Sequence, residues 1–278
     1  MTHRGSRAAV RSDVDRYLAR IGYDGPTSVD PDTLAALQTA HMVAVPFENL
    51  HVVAGHPMST ALEWSWPKIV ERRHGGWCFE LNGAFGALLQ RLGFDVGRHS
   101  ARVWDPATGA LGPDLDHLCL VVHVDGERWL VDVGFGDSVV TPVRIDTDEV
   151  QPRVPRDVRI ERRGHRVRYL EDVQGEWVLQ YELGLDAQPL AAFQPRSDAL
   201  AAGAGSGYFS AKPFATRALD AAGSRVWLLR DRLKVADGRA RRLTETPVPD
   251  DEWDAALATW FSMERPPAVG PTRAPTAP

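Results

Sequence analysis

Apolar residues recur at helical spacing through roughly the first ninety positions and then give way to shorter runs broken by Gly, Asp and Pro. The helical part predicts elements over Val14–Ile21, Asp32–Met42, Trp66–Arg73 and Cys78–Leu92. Pro31 stands near the start of the second, and Gly93 closes the last as a natural C′ residue. In that last helix Leu81, Phe85, Leu88, Leu89 and Leu92 form a single core-facing stripe. From about Val96 to Gln194 the runs HLCLVVHV, RWLVDVGF, RVRYLEDV and EWVLQYEL read as antiparallel strands. Beyond Ala201 come a glycine-rich stretch (AAGAGSGY), a strand-like RVWLLRDRLKV and a helix over Asp250–Met263. The chain therefore reads as α+β, with an N-terminal helical bundle over 1–95, a central antiparallel β-barrel or sheet over 96–195 and a C-terminal α/β part over 196–264. Residues 265–278 are Pro-rich, carry too little apolar surface to offset ordering entropy, and are expected to form a disordered tail. No internal repeat points to a solenoid or propeller.

Composition narrows the partners. With 278 residues and 44% hydrophobic content there is ample material for a sizeable core. Lys+Arg 32 against Asp+Glu 37 leave a net charge of -5, so no broad basic field exists for nucleic acid or an anionic membrane. The Arg-bearing N-terminus is not followed by an apolar h-region, and no stretch is long and apolar enough to span a bilayer, which predicts a cytoplasmic protein. Two cysteines, Cys78 and Cys119, are too few for a disulfide framework and lack C-x-x-C spacing, so each is judged singly.

Cys78 follows Gly75-Gly76-Trp77 and opens the Cys78–Leu92 helix. Unpaired first-turn N–H groups and the positive end of the macrodipole favour a thiolate at such a position. Glycines there allow a close backbone approach. A lone cysteine at a helix start is equally well a small apolar filler, so this segment alone does not decide.

The second candidate feature is HLCLVVHV followed by Asp125-Gly126 and ERWLVDVG, since Asp-Gly between alternating strands is a strong hairpin signal. If Asp125 and Gly126 are the central turn residues, Val124 pairs with Glu127, Cys119 falls opposite Asp132 and His117 opposite Gly134. His117 and Asp132 then share a face as diagonal neighbours about 7–8 Å apart, within reach of a base and its orienting carboxylate. A one-residue slip in register would separate them. His123 lies nearer the turn beside Arg128 and reads as solvated or structural, and mid-strand Cys119 reads as structural.

Taken together, these segments resemble the arylamine N-acetyltransferases. Val45-Pro46-Phe47-Glu48-Asn49-Leu50 is similar to that family's early signature, Gly75–Asn82 to its nucleophile segment, and Leu130–Gly136 to its D-x-G-F-G loop. The resemblance implies a cysteine-protease-like α+β fold with an α/β lid, Cys78 as acyl carrier, His117 as base and Asp132 as its orienter. It implies acetyl-CoA as a co-substrate with no permanently bound cofactor and no metal, and a small-molecule arylamine or arylhydrazine as acceptor. Phe47 and Phe135 would wall the acyl pocket, Gly134 and Gly136 would leave room for the pantetheine arm, and Phe214 in the shortened Ser210–Phe214 segment would contact substrate. One departure stands out. Where the family usually has an Arg that braces the nucleophile segment against the P-F-E-N glutamate, this chain has His74, so Glu48 is expected to use His74 or Arg73.

Three other readings stay open at this level. One is an amide synthase that closes macrolactams from an acyl thioester, and another is a cysteine-protease or transglutaminase-like hydrolase. The third is a zinc module using Cys78, Cys119, His117 and His123. No Walker-type loop occurs, and Gly203–Gly207 lacks the spacing of a dinucleotide fingerprint. Homo-oligomerisation is not legible.

Overall fold

The computed structural model describes residues 3–204 and 208–269. Gly205–Gly207 of the glycine-rich stretch and residues 270–278 of the expected tail lie outside the described residues. The N-terminal third holds α1 (His3–Ile21), α2 (Pro31–Ala44), the short strand β1 (Phe47–Glu48), α3 (Leu50–Val53), α4 (Leu62–Val70) and α5 (Cys78–Leu92). Local chemistry sets these ends. Asp30 accepts from Thr33 N at 2.7 Å to cap α2 with Pro31 in its first turn, and Gly93, at φ 100, ends α5 in the left-handed region. The fourth helix starts earlier than the sequence suggests, at Leu62, and carries Pro67 inside it. Among the described residues no helix is long and apolar enough to cross a membrane.

The central part contributes β2 (Asp95–Asp105), β3 (Ala110–Leu111), β4 (His117–Val124), β5 (Glu127–Val131), β6 (Val143–Arg144), β7 (Val158–Arg163), β8 (Arg166–Val173) and β9 (Glu176–Ala187). They form an 8-stranded antiparallel sheet in the order β6-β5-β4-β2-β9-β8-β7, with β3 on β2. Its two edges meet. Gln151 bridges to Val158 on β7 while its side-chain amide bonds both backbone groups of Arg144 on β6, at 2.9 and 2.8 Å, so the sheet nearly closes into a barrel. The interior is filled by Cys119, Val121, Tyr169, Tyr181 and Leu183. On the outside, the α5 stripe of Leu81, Phe85, Leu88 and Leu89, all fully buried, packs on Leu120 and Val122.

The last part begins with a 3-10 turn (Leu190–Phe193), α6 (Gln194–Ala201) and α7 (Tyr208–Ala211). A 5-stranded antiparallel sheet follows from β10 (Ala215–Ala218), β11 (Arg225–Leu228), β12 (Arg232–Ala236) and β13 (Leu243–Pro247), backed by α8 (Trp253–Phe261). The run RVWLLRDRLKV, expected as one strand, is a hairpin: Leu229 N bonds Arg232 O at 2.9 Å and reverses the chain without glycine or proline to mark it. β1 supplies the edge of this sheet, Phe47 opposite Thr216, so a segment from the helical third and the C-terminal third share one layer. Pro267 and Val269 lie against the turn after α3, with Val269 N on Ala54 O at 2.8 Å and His56 Nε2 near Pro267 O at 2.9 Å.

Candidate active site

Cys78 is the first residue of α5 and is 8% exposed. The glycines before it serve backbone contact. A Cβ on Gly75 would lie 2.0 Å from Pro46 O, and one on Gly76 would lie 2.5 Å from Glu80 Oε2. The chain entering α5 is therefore pressed against β1, where Glu48 N bonds Gly76 O at 2.9 Å. Glu80 accepts from Trp77 N at 3.2 Å, satisfying one first-turn donor.

Beneath this entrance lies a buried ion network. Lys68 Nζ on α4 sits 2.9 Å from both carboxylate oxygens of Glu80 and 3.3 Å from Glu48, and all three side chains are essentially inaccessible. Burial opposes the ammonium form of Lys68, but Glu48 and Glu80 outweigh it and raise its pKa, so the lysine stays charged. Lys68 thus holds the place expected of His74 or Arg73. The imidazole of His74 packs edge-on against His51 at 5.0 Å and is pushed toward neutrality by burial. Arg73 is exposed, and its carbonyl accepts from Arg20 at 3.2 Å.

The hairpin register follows the Asp-Gly turn. Asp125 and Gly126 have φ of 52 and 77, the two left-handed residues of a type I′ turn, and Val124 pairs with Glu127. The ladder ends at Leu120 opposite Val131, so Asp132 lies one residue beyond β5 rather than within it. His117 Nε2 lies 2.6 Å from Asp132 Oδ2. The carboxylate is fully engaged: Tyr181 OH donates to Oδ2 at 3.0 Å, while Asn82 Nδ2 and Gly134 N donate to Oδ1, each at 2.9 Å. Asn82 also donates to Leu118 O at 2.6 Å and accepts from Val133 N at 3.0 Å, tying α5 to β4 and to the segment that follows β5.

These contacts set the protonation states. Burial raises the Asp132 carboxyl, but His117 and the donors from Asn82 and Gly134 more than reverse this and hold it low. Burial disfavours charge on His117, yet the Asp132 charge and hydrogen bond, with the nearby Cys78 adding to them, raise its pKa above the ordinary imidazole range. Nε2 faces Asp132, which leaves Nδ1 for the thiol. Phe135 and Tyr181 flank the imidazole at 5.3 and 5.2 Å. Burial and then the Asp132 charge push the Tyr181 phenol far upward, keeping it a donor.

Cys78 and His117 open into a mainly apolar cavity of about 290 Å³. Phe47, Phe135 and Phe214 line it, joined by Trp77, Trp227 and Leu229, and the Phe47 and Phe214 rings stand 5.6 Å apart. The backbone around Phe214 is fixed by Asn49, whose amide donates to Lys212 O at 2.8 Å and accepts from Phe214 N at 2.9 Å. Gly134 and Gly136 line the cavity too. A Cβ on Gly134 would lie 2.7 Å from Cys78 Cα, and Gly136 adopts φ +91 beside the Phe47 ring. Both are first required by packing.

Other candidates lie elsewhere. Cys119 donates to His99 O at 3.7 Å inside the barrel, and burial raises its thiol well above the usual range. His123 is exposed and 3.6 Å from Asp95. Both cysteines are free, and the four side chains of the zinc reading do not group into a metal-ligand set among the described residues. Lys68, Asn82 and Tyr181 were not foreseen. Only Asn82 had a local signal, since it lies one helical turn after Cys78.

Both the sequence and the fold match known proteins. A family model described as N-acetyltransferase matches residues 30–266. The chain is 40% identical over 182 residues to an arylamine N-acetyltransferase of Mycolicibacterium smegmatis (64% of this chain, 66% of the relative). It is 36% identical over 169 residues to that of Escherichia coli K12 (60% and 56%), so these matches span less than two thirds of the relatives' length. The structure of the Mycobacterium marinum arylamine N-acetyltransferase in complex with CoA superposes with a TM-score of 0.81 at 29% identity, covering 90% of this chain and 92% of that one. With the family model spanning most of its length and the fold superposing over nine tenths of it, the chain belongs to the arylamine N-acetyltransferase family.

Proposed function

We propose that the protein transfers an acetyl group from acetyl-CoA to an arylamine or arylhydrazine in a ping-pong cycle through an acetyl-thioester on Cys78. The observation that carries this reading is the His117–Asp132 pair with Cys78 and His117 lining one cavity walled by aromatic rings. In the first half the Cys78 sulfur attacks the thioester carbonyl, the bond to the CoA sulfur breaks, and His117 delivers its proton to the departing thiolate. In the second half the amine nitrogen attacks the acetyl-cysteine, His117 takes the amine proton, and the Cys78 thiolate leaves. Asp132 keeps the imidazole oriented and favours its charged form in both halves. Backbone N–H groups at the α5 entrance or on the hairpin would serve the tetrahedral oxyanion. A cavity of about 290 Å³ suits an acetyl group and one flat ring better than the long acyl chain of a macrolactam precursor.

Incubation with acetyl-CoA followed by intact and peptide mass spectrometry tests the proposal. An acetyl adduct on Cys78 is expected, lost on addition of an arylamine. The reading fails if no adduct forms there, or if Cys78→Ala still consumes acetyl-CoA with an arylamine at the wild-type rate.

A further inference from the structure

The described lining of the catalytic cavity includes two carboxylates, Asp116 and Asp137, and neither lysine nor arginine. Asp137 is ringed by guanidinium groups, with Arg156 at 3.3 Å, Arg225 at 3.4 Å and Arg241 at 2.9 Å. Asp116 is held differently. Arg196 on α6 grips Oδ1 alone, through Nε at 2.9 Å and a terminal nitrogen at 2.6 Å. Oδ2 has no hydrogen-bond partner among the described residues, and the side chain keeps 15% exposure. The backbone that presents this carboxylate is specified on its own account. Leu115, immediately before it, stands at φ 63, a left-handed conformation that a bulky side chain rarely adopts, and its N–H donates to Ser100 Oγ at 2.7 Å. Gly112 leaves room beside the unpaired oxygen, since a Cβ there would lie 2.5 Å from Asp116 Oδ2. None of the contacts that orient His117 and Asp132 uses Asp116.

We propose that Asp116 selects the acceptor: its Oδ2 accepts from a cationic or N–H-donating group carried on the aryl ring, so that arylamines bearing such a group are preferred over those bearing an anion. This rests on the N-acetyltransferase reading above. The reacting nitrogen has to meet Cys78 and His117, and Asp116, the chain neighbour of His117 on the wall of the same cavity, meets another part of the same small acceptor. A carboxylate oxygen without a donor is costly in a mainly apolar space, and an N–H brought by the ligand removes that cost. A charged donor makes the stronger bond. An anionic substituent finds no lining cation to offset its lost hydration and meets the Asp116 carboxylate instead, so the same residue attracts one acceptor class and rejects the other.

4-Aminobenzamidine and 4-aminobenzoate have nearly the same shape and opposite charge, and the ratio of their kcat/KM values in acetylation by the full chain tests the assignment. Wild type should favour the amidine by about tenfold, and Asp116→Asn should lower that ratio by about tenfold, the scale of losing one hydrogen bond to a charged group. Asp114→Asn, whose carboxylate pairs with Arg166 at 3.0 Å and does not line the cavity, should keep the wild-type ratio. The proposal is overturned if wild type uses the two amines equally or favours the benzoate, a result that needs no variant to fold, or if Asp116→Asn leaves the ratio where it was. Calorimetric binding of the two amines to the unacetylated protein reads the same preference without any chemistry. Tighter binding of the amidine with no acetyl adduct on Cys78 unseats the catalytic reading and leaves the Asp116 assignment standing, whereas an adduct with equal use of the two amines unseats only the Asp116 assignment.

Discussion

Two buried ionic networks meet at the entrance of α5, and they are built for different ends. Behind the nucleophile, Glu48, Lys68 and Glu80 put two carboxylates around one ammonium, none of which touches the catalytic cavity. In front of it, His117 and Asp132 pair one to one, and His117 lines the cavity beside Cys78. The rear network has every reason to stay fixed, since drawing Lys68 away from either carboxylate leaves buried charge without its partner. In the proposed cycle the front network keeps one member able to exchange a proton with substrate. Holding the Cys78 thiol in place and activating it would then be handled by separate sets of charges.

The sharpest way to separate them is Asp132→Asn. It should lower kcat by roughly 10³- to 10⁴-fold, because the amide no longer orients or charges the imidazole, while the melting temperature changes far less than turnover. Steady-state kinetics and thermal denaturation on one preparation check this, and a fall in stability as severe as the fall in rate would make the pair structural first. Lys68→Met should show the opposite pattern. Leaving Glu48 and Glu80 facing each other unneutralised costs about 3–5 kcal/mol of stability, readable by urea denaturation, and Lys68→Met/Glu80→Gln should recover part of it. If Lys68→Met unfolds like wild type, the brace is not where these contacts put it.

A pH series sharpens the contrast next. His117 has a raised folded pKa, so its contribution to stability is complete below the unfolded value near 6.5 and is lost as pH climbs through the folded value. Asp132 has a lowered one, so its share is complete above about 3.9 and is lost as pH falls through the folded value. The pair therefore contributes most between about pH 4 and 6.5. His117→Gln should flatten the melting-temperature profile on the alkaline side, and an unchanged slope there would remove the ion pair from the account. The smallest effect is expected for His74→Ala, at most about 1 kcal/mol, since His74 lies against the His51 ring and is not the counter-ion of Glu48. A loss comparable to that of Lys68→Met would return the bracing role to His74.

Much of the front network was legible because it is local. An Asp-Gly turn dictates two left-handed residues, the turn dictates register, and register puts His117 and Asp132 on one face fifteen residues apart in the chain. Even so, the strand stops one residue short of Asp132, which frees that carboxylate to take donors from Asn82, Gly134 and Tyr181. The rear network was not legible, since Glu48, Lys68 and Glu80 come from β1, α4 and α5, and no periodicity says which helix faces which. The motif glutamate announced a need for a cation without saying which cation would reach it.

By itself, then, the amino-acid order determined the helix that opens on Cys78, the hairpin that pairs His117 with Asp132, and the α+β class, because turn chemistry and hydrophobic period act over a few residues. Only the tertiary structure decided that Lys68 rather than His74 neutralises Glu48. It alone made RVWLLRDRLKV a hairpin and set the Phe214 ring beside that of Phe47 at the cavity. Those outcomes depend on which distant surfaces pack together and which charges meet once they do.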